Sequence, residues 1–300
     1  MNRGTREGQG NRASTVLGRR LGGRLLQLRD AAGRTQAQAS QVLSATSTKV
    51  VKMERGWVPM RDPDIVALCT FYGLHDRAAV APLLELAALD RERRKAKGWW
   101  QQAPAAGASA EYIALEDVAT RVRIWQLARV PGLLQTAAYA RALTRGDGAG
   151  QGAEPEPDDV ERRVAVRLKR QERLRAQDPL QLHAVLWEGA LRQEIGGREV
   201  MAAQLDHLAR TARLPNVHLR ILPFRAGGHP CAGGPFSIIS FARPAALDVV
   251  HAGTAAATAW VEHEDDRARC ARLFERAARL SATPAESLDL IEGLAKDLVP

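Results

Sequence analysis

The sequence predicts an α+β protein, with an all-α N-terminal domain followed by a larger C-terminal domain of helices around a small β-sheet. At 300 residues the chain is long enough for about two domains. Over roughly the first 90 residues the apolar positions recur at helical spacing. Alternating, strand-like segments appear only later, at Leu180–Trp187, Val217–Leu222, Phe236–Phe241 and Leu247–Val250.

The positive charge is concentrated at the N-terminal end. The chain has a net charge of +9. Residues 1–61 contain 12 Lys and Arg but 3 Asp and Glu, whereas the rest of the chain has 31 residues of each sign. A local excess of this kind favours a polyanionic partner for the N-terminal domain alone.

The segment Thr35–Gly56, TQAQASQVLSATSTKVVKMERG, predicts two short helices joined by a tight turn. Thr35 and Thr46 are suited to be N-caps, and Gly56 is expected to follow the end of the second helix. The residues expected to face the core are Ala39, Leu43, Val50 and Met53.

The second of these helices has a polar and basic outer face, which suits the major groove of DNA. We expect its side chains to contact base edges, and we expect neighbouring residues to contact phosphates. We expect Gln36 to contact a phosphate because it lies at a helix N-terminus, where the helix dipole attracts an anion. The candidates for base contacts are Ser47, Thr48 and Lys52, and those for phosphate contacts are Gln36, Lys49 and Arg55.

This segment resembles the Xre/Cro-type helix-turn-helix of prokaryotic regulators. LGRRLGGRLLQLRDAAGRTQ, upstream, resembles the first helix of that domain, and PDIVALCTFYGL, downstream, resembles its fourth. Two residues depart from the pattern: Ser44 stands where a turn glycine is usual, and Ala39 where leucine is usual. A serine at a position that requires a positive φ costs some stability. The resemblance implies a regulator that binds double-stranded DNA, and we expect it to bind as a homodimer on a two-fold operator.

The first predicted helix runs from about Val16 to Ala32 and contains two adjacent glycines. Gly22 and Gly23 each cost about 1 kcal/mol relative to alanine inside a helix. Tertiary packing must therefore hold this helix.

The C-terminal part is predicted to contain several helices in addition to the strands. In chain order these are Tyr112–Ala128, Asp158–Ala176, Val200–Leu214, Asp265–Leu280 and Pro284–Leu298.

This part of the chain carries a second resemblance. The motifs GWW, RVPGLLQTAAYARAL, ERRVAVRLKRQ, LPNVHLRILPF and GGHPCAGGPFSIISF occur in this order. They resemble the C-terminal domain of an actinobacterial family that joins an Xre-type domain to an antitoxin-like regulatory domain. Members of that family are transcriptional regulators, many of them encoded beside a small partner protein. The segment His251–Thr258, HAGTAAAT, departs from the pattern of this family, whose members often have a Glu-containing segment at that place.

Motifs of enzymes and cofactor sites are absent from the sequence. There is no G-x-G-x-x-G, no G-x-x-x-x-G-K-[ST] and no H-E-x-x-H. Cys69, Cys231 and Cys270 lie far apart, which favours neither a disulfide framework nor a zinc site. His229 and Cys231 form a Cys–His pair in a Gly-rich loop, but no second pair of ligands follows them. We therefore expect no catalytic residue, no metal and no cofactor.

The sequence thus predicts four regions. They are a flexible basic arm at 1–14, a helix-turn-helix DNA-binding domain at 15–80, a helical connector and linker at 81–110, and a regulatory, dimerisation or partner-binding domain at 111–300. No secretory signal or membrane span is evident, so we expect a cytoplasmic protein. Two alternatives to a transcriptional regulator remain: an antitoxin-like protein that mainly binds a small cognate protein, and an enzyme dependent on Cys231.

Overall fold

The described residues of the computed structural model form two compact units, residues 14–96 and residues 98–298. The first unit is all-helical, and the second combines helices with one mixed sheet. The predicted α+β fold class is confirmed. The predicted basic arm and the His229–Cys231 pair lie outside the described residues. The structure describes residues 14–96, 98–102, 108–150, 155–228, 233–242, 248–253, 258–261 and 263–298.

The first unit is a bundle of short helices around one apolar core. Leu17, Leu21 and Leu25 of the first helix are almost completely buried, as are Ile65 and Leu86 of later helices. This one-sided burial follows from the helical spacing of the leucines. Its helices are α1 Val16–Ala31, α2 Gln36–Val42, α3 Ser47–Glu54, α4 Asp62–Phe71 and α5 Arg77–Lys95.

Gly22 explains how α1 approaches the end of α3. A Cβ atom at Gly22 would lie 2.3 Å from the carbonyl oxygen of Glu54 and 2.4 Å from that of Met53. A Cβ atom at Gly56 would lie 2.2 Å from the backbone nitrogen of Arg19. The two backbones can touch only because both positions are glycine. At Gly23, by contrast, a Cβ atom would meet nothing within 4 Å.

The turn between α2 and α3 contains a residue in the left-handed region. Ser44 has a φ of 46° and is the one non-glycine residue with a positive φ in the described part of the chain. Ser44, which stands where a turn glycine is usual, therefore has a strained backbone. Residues with a Cβ atom disfavour the left-handed region.

The charged end of α5 is part of the packing of the first unit. Arg94 donates hydrogen bonds to the Asp90 carboxylate at 2.8 Å and to the carbonyl oxygen of Gly56 at 2.7 Å. Thr15, the N-cap of α1, also donates to Asp90, which is only 1% exposed. Helix α5 continues through Pro82, and it crosses the predicted boundary between residues 80 and 81.

The second unit is built on a six-stranded mixed sheet with the order β3-β2-β1-β4-β5-β6. Strands β1, β2 and β3 are parallel, and β4, β5 and β6 extend the sheet in antiparallel fashion. The strands are β1 Arg121–Gln126, β2 Gln181–Trp187, β3 Val217–Leu222, β4 Phe236–Ser240, β5 Val249–Gly253 and β6 Thr258–Val261.

Two of these strands correct the sequence prediction. The predicted helix Tyr112–Ala128 is wrong, because it ends at Asp117 and the chain then forms β1. Val122 and Ile124 of β1 are buried while Arg121 is exposed, which is the alternation of a strand. Strand β6 was not predicted at all.

Both faces of the sheet are covered. On one face Trp125, Phe236 and Ile238 pack with Phe274 and Ala277 of an overlying helix. On the other face the side chains of alternate residues are equally buried, so the sheet is the central layer. The helices of the second unit are α6 Ala108–Asp117, α7 Ala137–Gly150, α8 Pro157–Gln171, α9 Gly189–Arg192, α10 Arg198–Thr211, α11 Glu264–Leu280 and α12 Pro284–Leu298.

Buried polar side chains hold the segments that precede and follow β1. Gln171 donates to the carbonyl oxygens of Gly132 and Gln135, at 3.0 and 2.7 Å. Arg170 pairs with both carboxylate oxygens of Glu116, at 2.6 and 2.8 Å, and Glu116 is 1% exposed. These contacts satisfy backbone and charged groups that burial would otherwise leave unpaired.

In the described residues no helix is both long enough and apolar enough to cross a membrane.

We predict opposite effects for alanine at the two adjacent glycines of α1. Gly22→Ala should destabilise the first unit by about 3 kcal/mol, because the methyl group overlaps two backbone carbonyls. Gly23→Ala should stabilise it by about 1 kcal/mol, since the position is open and alanine is the better helix former. Hydrogen exchange of the α1 and α3 amides in the full chain measures both effects. Equal effects of the two substitutions would refute the close-approach explanation.

We predict that Ser44→Gly stabilises the first unit by roughly 0.5–1 kcal/mol, because relief of the left-handed strain exceeds the extra entropy of glycine in the unfolded chain. Hydrogen exchange of the α2 and α3 amides reports the change. Ser44→Ala is the matched control, since it removes the hydroxyl but keeps the Cβ atom. A similar gain in both variants would mean that the hydroxyl, and not the backbone, is responsible.

Candidate nucleic-acid interface

Helices α2 and α3 begin where the predicted N-caps place them. The Thr35 hydroxyl accepts a hydrogen bond from the Gln38 backbone at 3.2 Å, and the Gln38 side chain accepts one from the Thr35 backbone at 2.9 Å. This reciprocal pair is a capping box. The Thr46 hydroxyl accepts from the Lys49 backbone at 3.3 Å. Both predicted caps are confirmed, and they fix the directions of the two helices.

The end of α3 is equally well defined. The backbone N–H of Trp57 donates to Lys52 O, and that of Gly56 donates to Met53 O, each at 2.9 Å. Gly56 has a φ of 67°. This pattern is a Schellman motif, which satisfies the last carbonyls of a helix and requires a left-handed residue.

Helix α3 has one buried face and one exposed face. Val50 and Met53 are 1% exposed and belong to the core, as the sequence predicted. Ser47, Thr48 and Lys52 are exposed. The structure thus places all three candidates for base contacts on the outer surface of a single short helix.

The other two residues predicted to face the core, Ala39 and Leu43, are buried to different extents. Ala39 of α2 is completely buried. Leu43 is the C-cap residue of α2 and is half-buried.

A buried carboxylate joins the first three helices. Glu54, at the end of α3, accepts hydrogen bonds from Arg29 Nε at 2.6 Å and from Gln36 Nε2 at 2.7 Å. The side chains of Arg29 and Glu54 are 10% and 6% exposed. Arg29 also donates to the carbonyl oxygen of Arg34, at 2.8 Å. The hydrogen bond to Glu54 raises the pKa of Arg29 above its usual value, although burial by itself lowers it.

Gln36 therefore has an intramolecular partner that the sequence did not reveal. Its amide group carries two hydrogens, of which the bond to Glu54 uses one. Gln36 is the first residue of α2, so the free backbone N–H groups of that helix end lie beside it. These groups are compatible with the predicted phosphate contact.

Lys49 is also engaged within the unit. Its ammonium group lies 3.0 Å from a carboxylate oxygen of Asp64 in α4, and Arg61 lies 2.9 Å from the other oxygen. Burial raises the pKa of Asp64, but the hydrogen bonds from Arg61 and Lys49 outweigh it and lower the pKa below its usual value. Asp64 is therefore ionised at neutral pH, and it positions α3 against α4.

Arg55 and Ser47 make weaker contacts near the exposed face. The guanidinium group of Arg55 lies 5.1 Å from the ring centre of Trp57, which is 36% exposed. The hydroxyl groups of Ser47 and Ser40 are 3.4 Å apart. Arg55 and Trp57 together form a basic and aromatic surface just beyond the end of α3.

Sequence reasoning missed the residues that support the interface. Arg29 and Glu54 are 25 positions apart, and Lys49 and Asp64 are 15 apart. In the sequence, Glu54 lies two residues before Gly56, and Asp64 lies near the start of the motif PDIVALCTFYGL. A pattern of apolar positions cannot identify such charge pairs, because it describes faces and not partners.

Within the described ranges, no group of three or more His, Cys, Asp or Glu side chains could hold a metal ion. Cys69 is completely buried, and burial raises the pKa of its thiol to about 11. A thiol of this kind is a poor nucleophile at neutral pH.

Comparison with known protein families gives two matches. Residues 20–83 match the model of a helix-turn-helix domain, which supports a DNA-binding regulator. Residues 109–293 match the model of a domain of unknown function (DUF5753). No curated protein and no solved structure matches the chain. Since the second match covers more than half of the sequence, the chain belongs to the family of proteins with this domain of unknown function.

Proposed function

We propose that the protein is a sequence-specific transcriptional regulator of the Xre type, which inserts α3 into the major groove of its operator. One observation carries the proposal: Ser47, Thr48 and Lys52 project from the exposed face of a helix whose other face is fixed in the core. Within residues 14–96, no side-chain hydrogen bond or ion pair engages Thr48 or Lys52. Hydroxyl and ammonium groups are suited to reading base edges, and lysine favours guanine O6 and N7.

Polar and basic side chains near the helix support the same orientation. Gln36, at the start of α2, bonds to Glu54, and Arg55 directly follows Glu54, so both lie at the C-terminal end of α3. Phosphate contacts from such positions fix a recognition helix in the groove. Lys49 is bound to Asp64 but remains 36% exposed, so its charge is still accessible to a phosphate.

One such unit offers too few base contacts for high affinity, so we propose that the protein binds as a homodimer on a two-fold operator. The second domain would supply the dimer contacts or sense an effector. We further propose a cytoplasmic location and no catalytic activity.

A second candidate function is antitoxin-like: the protein would mainly bind a small neighbour-encoded protein, and DNA binding would serve autorepression. The balanced charge beyond residue 61, with 31 residues of each sign, favours it. That composition does not attract a second nucleic-acid strand but suits a protein partner. Co-purification with the neighbour-encoded protein, from cells that express both, would support this function.

We predict that the full chain prefers DNA from upstream of its own gene over scrambled DNA by roughly 10³-fold at physiological salt. Lys52→Ala should reduce this preference at least about fivefold, because it removes a contact to a base. The measurement is equilibrium binding to both DNAs over a range of salt concentrations. Lys95→Ala, at an exposed lysine of α5, is the control for the loss of one charge.

Equal binding to the two DNAs, fading steeply with salt, would show that the basic unit holds phosphates without reading bases. If Lys52→Ala left the preference intact, Lys52 would be excluded as a base contact.

We predict that Gln36→Ala weakens binding by about the same factor on both DNAs, roughly threefold to tenfold, because a phosphate contact carries no sequence information. Gln41→Ala, at an exposed position of the same helix, should change binding less than twofold. Thermal unfolding of each variant controls for loss of the bond to Glu54. A selective loss on the specific DNA would contradict the phosphate assignment.

A further inference from the structure

A row of basic side chains crosses three parallel strands on one face of the sheet. Arg123 of β1 is the register partner of His183 of β2, and His183 is the register partner of His218 of β3. Register partners on adjacent strands point to the same face. The two imidazole rings are in contact, with ring centroids 4.5 Å apart.

Helix α11 crosses this row and leaves a cavity beside it. The cavity measures about 280 Å³. This volume is close to the lower end of the range for small-molecule sites. Its lining includes both imidazole rings, the aromatic ring of Phe274, and three charged side chains at the rim: Arg220, Glu275 and Arg279.

The charges around the cavity do not balance. Arg123 lies 2.6 Å from Asp248 and 3.5 Å from Glu275, so the nearby carboxylates are already shared with it. Arg220 donates to a backbone carbonyl, that of Ala278, at 3.3 Å. Among the residues of the second unit that the structure describes, neither Arg220 nor Arg279 forms an ion pair.

One buried donor in the row also lacks a partner. The Nε atom of Arg123 is buried, and no group in the described part of the chain accepts its hydrogen bond. The Arg123 side chain is only 12% exposed. The other nitrogens of Arg123 pair with Asp248 and Glu275, and Arg123 lies next to the residues that line the cavity without being one of them.

We propose that the cavity between β2, β3 and α11 binds a small metabolite that carries a phosphoryl or carboxylate group. Arg220 and Arg279 would bind the oxyanion, and the imidazole rings and Phe274 would contact the remainder of the molecule. Arginine binds both kinds of oxyanion well, because its donors form a planar fork. This is a ligand site of the second domain, independent of the proposed DNA contacts.

The state of His183 agrees with a positively charged cavity. Burial is the largest cause, and together with the charges of His218, Arg121 and Arg123 it lowers the pKa of His183 to about 4, against an opposing effect of Glu275. The titratable and charged groups around His183 come from three elements. They are Arg121 and Arg123 of β1, His218 and Arg220 of β3, and Glu275 and Arg279 of α11. A bound anion would favour the protonated ring and raise the pKa of His183.

The test uses the full chain without DNA, so its failure and the failure of the proposed function are distinguishable. Sulfate is the first probe, because it keeps both charges between pH 4 and 8. Calorimetry should show saturable binding at low ionic strength. Arg279→Gln should weaken it at least about fivefold, as one of two arginines is lost. Arg276→Gln, on the same helix but outside the lining of the cavity, should weaken it less than twofold.

A second measurement locates the anion. The ring resonance of His183, assigned by its loss in His183→Gln, should titrate with a pKa about one unit higher in saturating sulfate. Inorganic phosphate and succinate at pH 7 then distinguish a phosphoryl from a carboxylate ligand. An unchanged pKa of His183, or equal weakening by the two arginine substitutions, would overturn the proposal, as would absence of saturable binding for all three probes.

Discussion

The carboxylate of Glu54 is the group on which the geometry of the first unit depends. It is buried, and it binds a side chain from each of the two preceding helices, Arg29 and Gln36. Removing one member of such a buried pair leaves an uncompensated charge, at a cost of about 3–5 kcal/mol. The direction of α3, and with it the position of Thr48 and Lys52, therefore depends on a buried contact at the end of the helix rather than on the exposed residues themselves.

The glycines make this arrangement possible. Glu54 can reach Arg29 only because α1 lies against the last residues of α3, and that approach needs no Cβ atom at Gly22 or Gly56. A residue that lowers helix propensity in isolation is thus required by packing, whereas its neighbour Gly23 has no such role. The exposed face of α3 can vary without disturbing this framework, because its side chains take no part in the contacts of Glu54.

Local chemistry made much of the first unit predictable. The N-caps Thr35 and Thr46 and the terminal Gly56 form hydrogen bonds with residues that are close to them in sequence. The sequence alone identifies all three. The turn strain at Ser44 was predictable for the same reason. Strand β1 was missed because Val118, Val122 and Trp125 also fit helical spacing, and its conformation is decided by pairing with β2 and β4, far away in sequence. The ion pairs of Glu54 and Asp64, and the row Arg123–His183–His218, likewise arise only when distant segments meet.

The order of the strands has a consequence for synthesis of the chain. Strand β1 pairs with β4, and the segments from α7 to α10 lie between them in sequence. Pairing between residues so far apart is slow, since the intervening chain must first be ordered. The helices of the first unit make local contacts and are translated first. On the ribosome the N-terminal unit is therefore folded before the sheet can close, and a nascent chain carries a complete helix-turn-helix unit while the second domain is still incomplete.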